Sequence, residues 1–370
     1  MEKQEKNQDN CMEWVLETER FEKTTDGKAY YTDYEICSEA YIGGVLEYGN
    51  GAILCSILQP EANRDGLYAY LLRIKRIEEN FEFNKDNYSE NGYYFEKGIV
   101  GELIALFSVY FQCRFFHKST TSGELSPHSI KFRSEYEFNQ KKPHEHWHYE
   151  MFSKQKRNWA DGGIATFLDK IKLADGRYHQ KLIWACDWYA EAIKEIGLEK
   201  QLFYAKMVFC IEALLKVVEL PSDSIEQKMK KLLAENFFID DEKQQINNWI
   251  ENRRIGKKFK IFLQTYSKGF FDDKRTDPAH CCVKEHELNM YAGIIYSARS
   301  NYLHTGKPLY ISDDYGMEEA KTWDLCPSGE IMIDRRKISG NDKLPRIRWF
   351  ERITNYCLKN FINTIAQKND

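Results

Sequence analysis

From Lys28 to Leu58 apolar residues fall into short β-like runs, AYYTDYEIC, then GGVLEY and AILCSIL on either side of Asn50-Gly51. An Asn-Gly pair between two apolar runs accepts positive φ at little cost and predicts a hairpin. The spacing then turns helical, with Leu67, Leu71, Ile74, Ile77 and Phe81 on one predicted helical stripe. GIVGELIALFSVYF, residues 98–111, reads as a buried helix or a helix giving way to a strand at its end. Residues 117–163 have no period. They are rich in Ser, Thr, Gly and Pro and hold five of the nine histidines: His117, His128, His144, His146 and His148. A long loop or connecting layer is predicted there.

Beyond residue 163 the helical period is clear. Leu182, Cys186, Tyr189, Ile193 and Ile196 recur at steps of four and three, with Gly197 where a C-terminal glycine belongs. QLFYAKMVFCIEALLKVVELP is apolar nearly all round and stops at Pro221, as a central core helix does. Asp223 and Glu226 form a capping-box signal for a helix through IEQKMKKLLAENFF. Residues 242–265 are amphipathic. Leu288, Tyr291, Ile295, Ala298 and Tyr302 mark another helix, ended by Gly306 and Pro308. A β-like stretch near Ile331 to Ile338 precedes a last helix from Pro345 to Gln367. The expected fold is mainly α, with a smaller α+β portion toward the N-terminus. The expected divisions are a disordered polar tail at 1–12, an N-terminal portion at 13–160 and a helical domain at 161–370.

Composition narrows the function classes. Lys+Arg 53 against Asp+Glu 57 gives a formal net charge of -4, which excludes a uniformly basic nucleic-acid coat but not a local basic face. The longest apolar run, 98–111, contains Glu102 and falls short of the ~18 residues a membrane span needs. MEKQEKNQDN has no apolar segment of a secretory signal. A protein of the cytoplasm, with no membrane partner, is expected. The ten cysteines form no C-x-x-C pair, and Cys186, Cys210 and Cys357 fall in apolar helical patterns, where a free thiol serves as a small hydrophobe.

The chemistry concentrates in YSARSNYLHTGKP. Arg299 and His304 bracket Asn301 at the end of a predicted helix. A permanently charged guanidinium binds phosphate oxygens, and an imidazole moves protons near neutrality. Together they can cleave RNA without a metal or cofactor: the 2′-hydroxyl attacks the adjacent phosphorus, His304 shuttles a proton, and Arg299 offsets the added charge. In the last helical turn the macrodipole also favours a cation. An offset of five residues turns about 140° on a helix, so one copy makes a loose site. Two copies about a two-fold axis can set both pairs over one cleft.

Arg299-Ser300-Asn301-Tyr302-Leu303-His304-Thr305-Gly306, with the upstream helix core Phe209-Cys210-Ile211-Glu212-Ala213-Leu214-Leu215, resembles the Apea-like branch of the HEPN superfamily. FLDKIKL…HQKLIWACDWYAEAIKEI resembles the helix preceding them; the likeness spans roughly 165–310 and extends more faintly to GIVGELIALF. Ser300 follows the Arg where superfamily members often carry Asn, Asp or His. The resemblance implies an all-α HEPN bundle that dimerises, with Arg299 and His304 as a metal-independent endoribonuclease centre. Asn301, Ser300 and Glu212 are its candidate supports. It also implies a role in toxin–antitoxin, abortive-infection or other antiviral systems, with RNA (tRNA among the candidates) as substrate and an antitoxin or defence partner. The N-terminal portion is then a sensing part.

Other readings stand beside this. Arg299 and His304 can be a helix-end ion-pair residue and a C-capping imidazole. The domain can bind RNA, nucleotide or a protein without cleaving. Glu212, on an apolar helix, calls for a cationic neighbour. Arg253, Arg254, Lys257 and Lys258 form a basic helix face or an RNA track, with Phe259 and Phe262 as core. His144-Glu145-His146-Trp147-His148 matches H-E-x-x-H, but Lys141, Lys142 and Pro143 precede it and no apolar stripe would bury such a helix. His280-Cys281-Cys282 with His286 fits no common zinc spacing. No metal site is expected.

Overall fold

The computed structural model describes residues 11–24, 27–59, 61–78, 97–124, 157–196, 198–217, 224–234, 238–272, 283–309, 331–333, 336–338, 344–345 and 347–367. These are mostly helical, with one small five-stranded antiparallel sheet. No helix among them is long and apolar enough to cross a membrane. The chain divides into two compact units, residues 1–199 with 361–370, and residues 200–360.

In the first unit β1 (Lys28–Ser38), β2 (Val45–Tyr48), β3 (Ile53–Ile57), β4 (Tyr68–Glu78) and β5 (Phe115–Glu124) lie in the order β2-β3-β4-β1-β5. The Asn50-Gly51 hairpin joins β2 to β3, with φ of 54° and 83° at the two residues. The helix expected from Leu67 to Phe81 is instead strand β4 as far as Glu78, and Phe81 lies outside the described residues. Tyr68, Tyr70, Leu72 and Ile74 are buried on one face, a period of two, whereas Leu67, Leu71 and Ile77 are only half-buried. Aromatic and β-branched side chains on that period favour a pleated surface, and eleven residue pairs with β1 complete it. Arg73 of β4 stands opposite Asp33 of β1 and makes two 2.6 Å bonds to its carboxylate.

The long loop expected from residue 117 begins instead as strand. Phe115–Glu124 is β5, paired with β1 at the sheet edge. Its polar sequence gives no apolar alternation: residues 117–121 are exposed, and backbone pairing with β1 holds them. Residues 125–156, with His128 and the His144, His146 and His148 cluster, lie outside the described residues.

Among the described residues this unit also holds α1 (Glu13–Lys23), α2 (Gly98–Phe111), α3 (Gly163–Leu173) and α4 (Gly176–Lys194). α2 is helical to its end and packs on α4 and β5. Its Phe107 and Phe111 rings meet Trp159 at 4.9 and 4.7 Å, with Tyr70 and Phe115 on the same indole at 6.0 and 6.1 Å. α1 is an element the sequence pattern does not announce. Both carboxylate oxygens of buried Glu102 accept from its first backbone N–H groups, Glu13 at 3.0 Å and Trp14 at 2.9 Å. The Met12 N–H donates to Nδ1 of buried His179 at 3.2 Å, so the ring's proton sits on Nε2, facing the Ile171 and Ala174 carbonyls at 3.1 Å each.

The second unit holds α5 (Lys200–Leu214), α6 (Ser224–Ala234), α7 (Asp240–Tyr266) and α8 (Leu288–Thr305), which a 3-10 turn at Glu285–Glu287 precedes. A hairpin of β6 (Ile331–Ile333) and β7 (Arg336–Ile338) follows, then α9 (Ile347–Gln367), whose residues from Phe361 are counted with the first unit. Asp223 and Gly197 lie outside the described residues. Phe259 and Phe262 are core, as are Cys210 and Cys357. Tyr204 of α5 stacks on Phe350 of α9 at 5.0 Å and donates its hydroxyl to the Pro345 carbonyl.

Candidate active site

α8 turns its Leu288, Ala292 and Ile295 side inward, where all three are buried. Arg299 lies one helical turn beyond Ile295 on the same stripe, which carries its guanidinium toward α5. There Nη2 donates to Oε2 of Glu212 at 2.5 Å, and the cation sits 4.8 Å from the Phe209 ring centre. The two side chains are 15% and 18% exposed, so water screens the pair little. Burial raises the Glu212 carboxyl above its ordinary range, and the Arg299 charge pulls it back. Tyr296, one turn before Arg299, is raised by burial and further by Glu212, against Arg299. The buried Nε of Arg299 makes no hydrogen bond among the described residues.

His304 is exposed in the last turn. Gly306 ends the helix in the left-handed conformation, φ 67°, and returns its N–H to the Tyr302 carbonyl at 3.1 Å. The Thr305 hydroxyl donates to the Asn301 carbonyl at 2.6 Å. Asn301 and His304 share the outer face of α8 with Ser297, while Ser300 is half-buried at its margin. The structure thus gathers Arg299 with Glu212 on the inner side of the helix and His304 with Asn301 on the outer side.

The basic helix is divided in the same way. Lys258 donates to the Leu215 carbonyl at the end of α5, at 3.0 Å, while Lys257 is exposed. The side chains of Arg253 and Arg254 lie outside the described residues, as do His280, Cys281 and Cys282; His286 is exposed. Among the described residues no group of three or more His, Cys, Asp or Glu could hold a metal ion. Phe209 and Tyr296 stand in the two motifs of the sequence, but no role follows for them from the sequence alone. Each stands three positions before a charged partner on its own helix, and that spacing is the signal that marks them. No protein-family model, curated protein or solved structure matches the chain.

Proposed function

We propose that the chain is a metal-independent endoribonuclease of the HEPN type, acting as a homodimer in the cytoplasm in antiviral defence or growth control. The observation that carries this reading is the 2.5 Å ion pair between Glu212 and Arg299. It joins the two segments that resemble the Apea-like branch, the Ile211-Glu212-Ala213-Leu214 helix and the Arg299 to His304 helix. In this reading the substrate 2′-oxygen attacks phosphorus and the 5′-oxygen leaves. His304 moves the proton, and Arg299, oriented by Glu212 and Phe209, offsets the charge of the phosphorane. The products are a 2′,3′-cyclic phosphate and a 5′-hydroxyl. Asn301 and Ser300 are polar supports, and Lys257, Arg253 and Arg254 draw RNA to the face. Residues 13–160 are the sensing portion.

The test compares wild type with His304→Ala and Arg299→Ala on total cellular RNA and a tRNA pool in EDTA. Cleavage by wild type alone, leaving cyclic phosphate ends, is expected. Equal cleavage by all three would overturn the assignment.

A non-catalytic HEPN module is the second reading, and the engagement of Arg299 with Glu212 and Phe209 favours it, because a guanidinium already paired has less to offer a phosphate. RNA binding by wild type without cleavage, and without toxicity on expression, is its signature.

A further inference from the structure

A cleft of about 370 Å³ runs along the outer face of α8 in the second unit, within the size range of sites for one small molecule. Its apolar lining includes Ile294 of α8 and Leu309, 7% exposed, in the segment after the helix. Its polar lining residues are Ser297, Asn301, Lys260 of α7 and Lys307. Among the described residues no carboxylate lines it. Neither lysine has a carboxylate partner among the described residues, in contrast to Lys97, which is shared between Asp187 and Glu191.

The placement of Lys260 is built into the helix pair. A Cβ on Gly293 would stand 3.0 Å from both Cε and Nζ of Lys260. The missing side chain is therefore what lets this ammonium lie against α8 at the edge of the cleft. Two cations with no carboxylate partner among the described residues, around one small cavity, raise the local potential for an anion. The apolar wall beside them suits a flat or aliphatic body on that anion, and the Asn301 amide can recognise its polar edge. Both lysines line one cavity rather than following a track, which fits one anionic group on a small molecule better than successive phosphates of a strand.

We infer that this cleft binds a small phosphomonoester carrying an apolar or aromatic body. The inference does not depend on the nuclease reading, since neither Arg299 nor His304 lines the cleft. Inorganic phosphate, phenyl phosphate, a nucleoside monophosphate and a 5′-phosphorylated oligodeoxynucleotide separate the sources of the phosphate. Binding to the full chain in EDTA is measured by calorimetry. Phenyl phosphate or the mononucleotide is expected to bind, and inorganic phosphate at least ~10-fold more weakly, because it leaves the apolar wall unfilled. Lys260→Met and Lys307→Met should each weaken binding by roughly tenfold, a loss of about 1.4 kcal/mol. His304→Ala should leave it unchanged. Gly293→Ala should weaken binding without lowering the unfolding midpoint, since it displaces Lys260 in a helix that tolerates alanine. Several outcomes would overturn the inference: no binding of any probe, equal binding of inorganic phosphate, tighter binding of the oligonucleotide than of the mononucleotide, or unchanged binding in the lysine variants. Lysine-dependent binding by a protein that cleaves no RNA supports the cleft and counts against the nuclease alone.

Discussion

At the scale of single residues, one half-buried and one buried carboxylate set the behaviour that mutation and pH will expose. Glu212 and Arg299 are shielded enough that removing one leaves the other charged and poorly solvated, which costs roughly 3 kcal/mol for buried pairs. Arg299→Ala should therefore destabilise the second unit by about 2–3 kcal/mol, and Glu212→Ala similarly, whereas Glu212→Leu with Arg299→Met should recover most of the loss. Chemical denaturation of the four proteins checks this; additive losses would show that the two side chains act independently. Any loss of RNA cleavage in Arg299→Ala must accordingly be read at a temperature where the variant is folded. Glu102 is the second case. Burial pushes its carboxyl up to about 8 despite the two N–H groups that favour the anion, against 4.5 in a solvated chain. Between those values the folded state holds a proton that the unfolded state has released, so stability falls as pH rises through that window. The slope is at most about 1.4 kcal/mol per pH unit. Urea midpoints from pH 5.5 to 8.5 should decline more steeply for wild type than for Glu102→Gln; parallel lines would mean that Glu102 does not titrate there. Neither partnership was legible in full from the sequence. That Glu212 needs a cation follows from its apolar helix, but its partner lies 87 positions away, and no local pattern names it.

At the scale of elements, the close approach of α7 and α8 depends on two glycines with opposite consequences. A Cβ on Gly256 would meet the Tyr296 ring at 3.1 Å, and that ring is already held 5.6 Å from Phe259. Gly256→Val should cost about 1–3 kcal/mol through overpacking, more than any gain in helix propensity returns. Gly293 faces only the flexible end of Lys260, so Gly293→Ala should be neutral or stabilising by up to about 1 kcal/mol. Thermal unfolding of both variants decides the contrast, and a loss for each would mean that both helices are equally tight against their neighbours. Neither glycine carried a signal in sequence, because an isolated Gly in a helical pattern looks like a small penalty until the facing side chain is known. Long helices were the readable part: α4 and α8 appear where steps of three and four place them, and α7 and α9 lie within a residue or two of the stretches expected for them. Strand β4 was misread because Leu67, Leu71, Ile74 and Ile77 also fit a helical stripe, and only pairing with β1 decides between the periods. β5 and α1 were hidden for a related reason. A polar edge strand and a short helix held by Glu102 and His179 take their stability from residues distant in sequence.

At the scale of the whole molecule, the question is how residues on opposite sides of one helix could serve one phosphate. Arg299 and His304 are separated by about 140° around α8, with Arg299 held inward by Glu212 and His304 exposed. No rotamer change brings an exposed side chain of the last turn round to the inner stripe, so the proposed chemistry requires the His of one copy to meet the Arg of another. A symmetric dimer supplies two such meetings. This makes a sharp expectation for mixed assemblies. Arg299→Ala and His304→Ala should each be inactive alone, since every site in the dimer lacks the same group. Co-expressed with different affinity tags and purified through both, the mixed dimer retains one intact Arg299 and one intact His304 in separate chains. If the site draws one group from each copy, half of the sites in that dimer are complete, and cleavage should return to roughly half the wild-type rate, by the same counting that gives an isologous interface two equivalent contacts. If each chain works alone, the mixed dimer stays inactive. Sedimentation of wild type at micromolar concentration provides the companion measurement, because a monomer there would remove the assembly on which the complementation depends.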